Sequence, residues 1–384
     1  MLYTEVAAFR AVPQSAANLL ASALKPGSSD NRWMEGFAFR GETCPNLQVF
    51  GPCSEPDLPE GDLSEPVYVR PAGYRVQDTC STLERGFDDA RVLRLAEAVA
   101  SYAVSRELWT GAGTQAEPFE DEAPNGATLN PYLADDNAVI IPDSGDTAVT
   151  SALDAIGLLE QTARDKTRGQ QVFLHLPIRL ITRIGAQLVR VGNEIRTHTD
   201  AIVIADAGYP GTGPMDDGVD EAQLVTITGA PTGGTFTLTN QGQTTGPIAF
   251  NATAAVVKTA LEALSNVEPG DVAVTGANGG PWTVTFLAPG NVPQMTGSGA
   301  LLTGGAAPAV AVTTTTGGVA RVQLPGLWAY ATGPVEVRLG PTVTTVDQAV
   351  TVNRQTNERQ VWADRMFASA FDPCCQFAIE IPTT

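Results

Sequence analysis

The chain has 384 residues, 43% of them hydrophobic and 17% charged, with 38 Gly and 27 Pro. That is enough apolar material for two or three separate cores, and too many turn formers for an all-helical bundle. Lys and Arg total 23 against 42 Asp and Glu, a formal charge of −19, which argues against a surface that grips phosphates, because that task needs clustered cations.

Only Lys25, Lys166 and Lys258 are lysines; the other cations are arginines, whose planar fork suits packed, bidentate protein contacts. The first ten residues, MLYTEVAAFR, carry no basic leader followed by an apolar run, and no stretch approaches the ~18 apolar residues of a membrane span. The expectation is cytoplasmic synthesis and a soluble product with no membrane partner.

Residues 1–31 join the apolar segment 16–24 (AANLLASAL) to PGSSD at 26–30, an arm with one brief helix and little core of its own. Strand-like runs at 33–39, 47–50 and 67–69 flank the acidic, Pro-rich stretch 54–66 (SEPDLPEGDLSEP), a pattern that predicts a long extended hairpin. The clearest helix spans 83–109, without proline, with Val92, Leu95, Ala96, Val99, Tyr102 and Ala103 as its apolar stripe and Gly111 beyond its end. At the standard rise it is ~40 Å long. Arg85, Asp88, Arg91, Arg94 and Glu97 lie on its other faces, as a solvated or intersubunit surface would require.

Residues 112–146 read as loop. A second amphipathic helix follows at 147–164, a buried strand at 172–176, a third helix at 179–190 and a strand at 202–205, an α/β or α+β alternation. Near residue 221 the composition changes. Thr and Gly rise, and the charged side chains after Glu221 thin to Lys258, Glu262, Glu268 and Asp271 before Gly318. Period-two strands are predicted at 224–228, 235–239, 272–275 and 282–286, with one helix at 253–264. After Gly318 the earlier character returns, with strands at 319–324, 335–339 and 376–381 and a charged segment at 354–365. The β-rich stretch therefore reads as a module inserted into a host domain, and residues near 220 and 319 should be neighbours in space.

Little in the chain points to catalysis. His175 sits in an apolar strand and His198 in a Thr-rich stretch, positions that suit structural histidines. Asp216, Asp217, Asp220 and Glu221 lack the alternating ligand spacing of a calcium loop. No phosphate-cradling glycine loop, HExxH or GxSxG occurs. Asn251-Ala-Thr253 matches a glycosylation pattern but reads as a helix N-terminal cap. No catalytic residue, cofactor or metal ligand is therefore assigned. The five cysteines, Cys44, Cys53, Cys80, Cys374 and Cys375, form no CxxC pair. The expectation is reduced, partly buried thiols, with a hairpin disulfide between Cys44 and Cys53 as the alternative.

The order of parts, together with the segments VSRELWTG (104–111), ATGPVEVRLG (331–340) and FDPCCQFAIEI (371–381), resembles the major capsid proteins of tailed phages with the HK97-like fold, actinobacteriophage type. The resemblance implies an α+β chain with an N-arm at 1–31, an E-loop at 32–75 and a peripheral domain at 76–131 and 341–384 containing the spine helix 83–109. It places an axial domain at 132–220 and 319–340. The module at 221–318 resembles the small immunoglobulin-like β modules of phage structural proteins.

By the same resemblance the protein would self-assemble as hexamers and pentamers into an icosahedral shell enclosing double-stranded DNA without specific binding. Its further partners would be a separate scaffolding protein, a portal and decoration proteins, and its location the virion capsid. The type member of the fold is cross-linked through an E-loop lysine, whereas no lysine lies between Trp33 and Leu83 here. Overlap would then be noncovalent, with Trp33, Phe37, Phe39, Arg40, Arg70 and Arg75 as candidate subunit-interface residues. The competing readings are a phage tail or surface adhesin protein whose immunoglobulin-like module binds a host surface, and an encapsulin-like compartment shell.

Overall fold

The computed structural model describes residues 18–24, 32–40, 44, 66–81, 89–113, 130–142, 149–288, 290–344, 352–353 and 358–382. Most of the expected arm, the acidic stretch 54–65 and the segment 47–50 lie outside them. The chain divides into two compact units, Met1–Pro214 with Leu324–Thr384, and Met215–Gln323.

The first unit is α+β. Its larger sheet has seven strands in the order Val139–Ile141, Phe377–Glu380, Trp328–Thr332, Phe173–His175, Ile202–Ile204, Glu194–Thr197, Leu188–Val191. The central strands are apolar on both faces because each face meets its own core. Leu174, Val203, Ala329, Ala331, Phe377 and Ile379 pack on one side with helix Ala152–Lys166. Phe173, Ile202, Ile204, Tyr330 and Ala378 pack on the other with Leu108 and Trp109 of the long helix Asp89–Thr110.

The smaller sheet is built on the long strand Glu358–Phe371, which pairs antiparallel with Ala72–Ser81, Val335–Thr344 and Val352–Asn353. Sequence reading sees only a charged segment here. Val361, Ala363 and Phe367 are buried on one face while Gln360 and Met366 on the other are exposed, so the charges mask a period-two strand. From Ala368 both faces are buried, because the outer one is covered by Trp33 and Val69.

The long helix crosses this sheet, with Val92 and Ala96 against Val361 and Ala363. Its buried stripe runs Val92, Ala96, Ala100, Val104, Leu108, while Tyr102, placed on the apolar stripe by periodicity, is 50% exposed. Small residues face inward because another backbone approaches closely: a Cβ on Gly208 would lie 2.1 Å from Ser105 Oγ and 2.4 Å from the Tyr102 carbonyl oxygen. The helix ends at Gly111, whose φ of +60° is the left-handed terminus that glycine adopts freely. Residues 83–88 of the expected helix lie outside the described residues.

Three sequence expectations for regular structure are corrected. The helix expected at 179–190 stops at Ile184, and Leu188–Val191 is instead a strand paired with Glu194–Thr197. Gly192-Asn193 between them is a two-residue hairpin turn, a stronger local signal than the apolar spacing that suggested a longer helix. Helix Ala152–Lys166 begins five residues later than 147, at the Ser151 cap, whose side chain accepts from the Asp154 N–H. The stretch 319–324 is not a strand and contributes only isolated bridges, Val219 with Val319 and Met215 with Gln323.

The second unit consists of two four-stranded antiparallel sheets. One runs Val272–Gly276, Trp282–Phe286, Ala222–Thr228, Ala309–Thr316; the other is built on Gly233–Asn240, which pairs with Gln243–Thr244, Ile248–Ala249 and Thr296–Thr303. Trp282, Val284 and Val225 of the first sheet and Phe236 and Leu238 of the second share one core with Val257 and Leu261 of helix Ala254–Glu262. The Phe236 and Trp282 rings stack at 5.4 Å. Thr253 caps that helix by accepting from the Val256 N–H. At the base of the unit the Val219 N–H donates to the Val319 carbonyl at 2.8 Å.

Candidate assembly surface

Strands Phe37–Arg40 and Pro66–Val69 pair antiparallel, Phe37 opposite Val69 and Arg40 opposite Pro66. The pair rests on the outer face of the long strand: Trp33 and Val69 are buried against Ala368 and Ala370, with Met34, Phe37, Phe39 and Val67 partly buried beside them. Gly36, at φ +97°, turns the chain from the 3-10 turn Arg32–Glu35 into the first strand.

The six candidate interface residues fall into two groups. Trp33 is only 6% exposed, so its ring is covered by its own chain, whereas Phe37 and Phe39, with centroids 6.4 Å apart, are half-buried. The Arg338 guanidinium lies 4.8 Å from the Phe37 ring centre and is held there by Glu336 at 2.7 Å. Arg40 is exposed at the end of its strand. The Arg70 backbone is bracketed by Asn130, whose side chain accepts from the Arg70 N–H and donates to its carbonyl, both at 2.8 Å.

Arg75 stands apart. It lies on the neighbouring strand in a bidentate pair with Asp364, at 2.6 and 2.7 Å, and 5.4 Å from the Trp362 ring centre. The hydrogen bond with Asp364 holds its guanidinium above its usual pKa. Gly73, Tyr74, Arg75, Asp364, Arg365 and Met366 line a shallow open groove of about 410 Å³ along these two strands. Arg365 continues the pattern to the long helix through Glu97, at 2.9 Å.

Sequence reasoning missed Asn130, Arg338 and Asp206 among the residues that position this surface, and placed Glu97 on a helix face without its partner. Asp206 is 2% exposed and accepts from Ser101 Oγ at 2.5 Å, the Leu19 N–H at 3.2 Å and the Gly208 N–H at 3.1 Å. It thereby ties the N-terminal helix Leu19–Ala23 to the long helix. Glu336 and Arg338, two apart on a strand, carried the only local signal, a same-face ion pair.

Of the other polar groups singled out from sequence, His175, Asp216 and Glu221 are bonded within the fold, whereas His198 is exposed. His175 is fully buried, its Nδ1 2.8 Å from Tyr209 Oη and its Nε2 2.9 Å from Thr332 Oγ1, and burial lowers its pKa to about 3. Asp216 accepts from the Val322 N–H at 2.8 Å. Glu221 is buried, which raises its pKa, but hydrogen bonds from Gln223, at 2.7 Å, and from the Val292 N–H, at 2.8 Å, hold its carboxyl below its usual value. Among the described residues no cluster of three or more His, Cys, Asp or Glu is arranged to hold a metal ion, and no helix is long and apolar enough to cross a membrane.

The cysteine expectation is corrected. Cys44 is bonded to Cys374, with Cα atoms 6.4 Å apart, so it pairs neither with Cys53 nor as a free thiol. Cys375 is free and buried. A partner 330 residues away is invisible to spacing rules, which see only local loops.

No protein-family description matches the chain. It is 53% identical over 64 residues to the tail sheath protein of Mycobacterium phage Bxz1, a stretch that is 17% of this chain and 11% of that protein. Among solved structures, a chain from Mycobacterium phage Ogopogo aligns over 99% of this chain and 96% of its own, at 10% identity and a TM-score of 0.40. The capsid of an empty GTA particle aligns over 100% and 96%, at 10% identity and 0.41, and that of the cyanophage P-SCSP1u over 99% and 91%, at 10% and 0.35.

Proposed function

We propose that this protein is a major head protein of a tailed phage, assembling with copies of itself, as hexamers and pentamers, into a closed icosahedral shell around double-stranded DNA. The observation that carries the reading is where the three resembling segments meet. Residues 104–111 end the long helix at Trp109 and Gly111. Residues 331–340 and 371–381 are places where the chain passes directly between the seven-stranded sheet and the smaller one. Trp109, Val337, Phe371 and Ala378 from all three segments belong to one core. The resemblance thus lies in the residues that join helix and both sheets, which is where a shared architecture has to be specified.

In this reading residues 1–31 are the arm, 32–75 the E-loop, 76–131 with 341–384 the peripheral domain and 132–220 with 319–340 the axial domain. The stretch 221–318 is an inserted module of immunoglobulin-like kind. Phe37, Phe39 and Arg40, apolar rings and a cation left partly open on a hairpin beside the sheet, support noncovalent overlap with a neighbouring copy. A chain of net charge −19 suits a lining that does not hold packaged DNA by counterion release. The protein acts structurally, not as an enzyme, and its other partners are scaffolding, portal and decoration proteins.

The identity to a tail sheath protein over 17% of this chain favours as second reading a phage tail or surface adhesin protein. Sedimentation and negative-stain electron microscopy of the native assembly separate the two. Uniform closed shells are expected; tubes, rings or small oligomers would overturn the head-protein reading.

A further inference from the structure

Cys44 follows the first hairpin strand, and Cys374 lies in the turn Pro373–Cys375 that leads into the central strand Phe377–Glu380. Their bond joins the outgoing root of the hairpin to the C-terminal part of the chain across a sequence separation of 330. Cys374 is exposed, while its neighbour Cys375 points inward, its thiol 3.9 Å from the Ala163 carbonyl oxygen. The two vicinal thiols therefore meet different environments, one open to solvent reagents and one sealed in the core.

We propose that the Cys44–Cys374 pair is a redox-responsive latch: oxidised, it pins the hairpin to its own C-terminal turn, and reduced, it lets the hairpin leave the sheet. This holds whether or not the chain builds a shell.

Without the bond, the attachment is noncovalent only. The hairpin strands Phe37–Arg40 and Pro66–Val69 have four residues each, and two strands of that length have little stability of their own in water. Among the described residues the noncovalent attachment includes the burial of Trp33 and Val69 against Ala368 and Ala370, with Met34, Phe37, Phe39 and Val67 partly buried beside them, the Arg338 contact with Phe37 and the Asn130 hydrogen bonds to the Arg70 backbone. A covalent link that closes a loop of this length removes much of the freedom of the released state.

Closure needs a disulfide co-reactant, and oxidised glutathione is the class that fits an exposed thiol. The exposed Cys374 loses its proton to water, and its thiolate attacks one sulfur of the glutathione disulfide, expelling a glutathione thiolate that takes up a proton. Cys44, deprotonated in turn, attacks the Cys374 sulfur of the mixed disulfide and expels the second glutathione. Two protein thiols are oxidised and one glutathione disulfide is reduced to two thiols. Cys375 stays out of the exchange: burial pushes its thiol up to about 11, where it is protonated and unreactive at neutral pH.

The test uses the full-length protein, incubated with oxidised glutathione or with dithiothreitol, then alkylated and mapped by mass spectrometry, with amide hydrogen exchange on both forms. The expected oxidised form yields a Cys44–Cys374 linked peptide, and Cys375 is alkylated only after denaturation. On reduction the amides of 37–40 and 67–69 should exchange roughly 10-fold faster while those of 92–108 are unchanged. Cys44→Ser should show the fast hairpin exchange under both conditions; if it does not fold, the reduced natural protein gives the same comparison. A different pairing, such as Cys374 with Cys375, or hairpin exchange that does not respond to reduction, would overturn the latch.

Discussion

The Leu324 N–H donates to the Pro214 carbonyl at 2.9 Å, although the whole unit Met215–Gln323 lies between them in sequence. The same strip continues with the Gly213 N–H bonded to the Leu324 carbonyl and the Trp328 N–H to that of Gly211. The first unit thus brings its two chain ends side by side with its own hydrogen bonds. Deleting 215–323 and joining 214 to 324 with a short Gly-Ser linker is expected to leave a cooperatively melting first unit, read by circular dichroism. An insoluble or non-cooperative product would show that the first unit depends on the second.

Trp109 is fully buried in the core between helix and sheet. It lies 4.9 Å from the Tyr209 ring and 4.8 Å from that of Tyr330, and its Nε1 donates to Thr212. Trp109→Ala should cost about 3–5 kcal/mol in chemical denaturation. Gly208→Ala should be comparably harmful for the opposite reason: its Cβ would meet the helix backbone at the Tyr102 carbonyl oxygen, 2.4 Å, and the Arg106 nitrogen, 2.8 Å. A Gly208→Ala protein as stable as the parent would mean that helix and loop can separate freely.

Asp206 makes three hydrogen bonds with no water-exposed alternative. Asp206→Ala would leave the Ser101 hydroxyl and the Leu19 N–H buried without an acceptor, a loss of about 1–3 kcal/mol for each group. Because Leu19 belongs to the short N-terminal helix, the expected readout is early proteolysis or fast amide exchange at 19–23, ahead of global unfolding. Unchanged protection there would assign the helix's anchoring to its apolar contacts alone.

Asp135 and His175 pull stability in opposite directions with pH. Burial raises Asp135 to about 6, against hydrogen bonds from Gln376 and Asn137, so between pH 3.8 and 6 the folded state binds the proton more tightly and stability falls as pH rises. Asp135→Asn, which keeps an acceptor for Gln376, should therefore gain on the natural protein across that window, by on the order of 2–3 kcal/mol. His175, held near 3 by burial, is neutral when folded but charges when unfolded, so its contribution is lost as pH falls from 6.5 toward 3. Its imidazole resonances should not titrate between pH 5 and 8 in the folded protein; a midpoint near 6.5 would contradict its burial.

Much of the local structure was legible from sequence where a segment has one buried face and an unambiguous period. The strands at 272–276 and 282–286, the cap at Thr253 and the helix terminus at Gly111 follow from alternation, capping chemistry and the need for positive φ. Legibility failed where two influences overlapped. Residues 358–371 hide a long strand because its solvent face carries charges, and at 188–191 apolar spacing favours a helix where the Gly192-Asn193 turn makes a hairpin. The helix stripe was displaced toward Tyr102 because hydrophobicity ranks large side chains inward, whereas Gly208 requires small ones at Ser101 and Ser105.

The sequence by itself determined the α+β class, the break in composition that sets off a Thr- and Gly-rich unit, and the lack of local catalytic motifs, because each is a property of composition or of neighbours along the chain. Only the tertiary structure decided that Trp33 is covered by its own sheet, that Cys44 bonds Cys374, that Asp206 holds Leu19, and that three separated segments share the core around Trp109. Those relations join residues tens to hundreds of positions apart, and no periodicity or spacing encodes them; they exist only once the two sheets and the long helix have closed on one another.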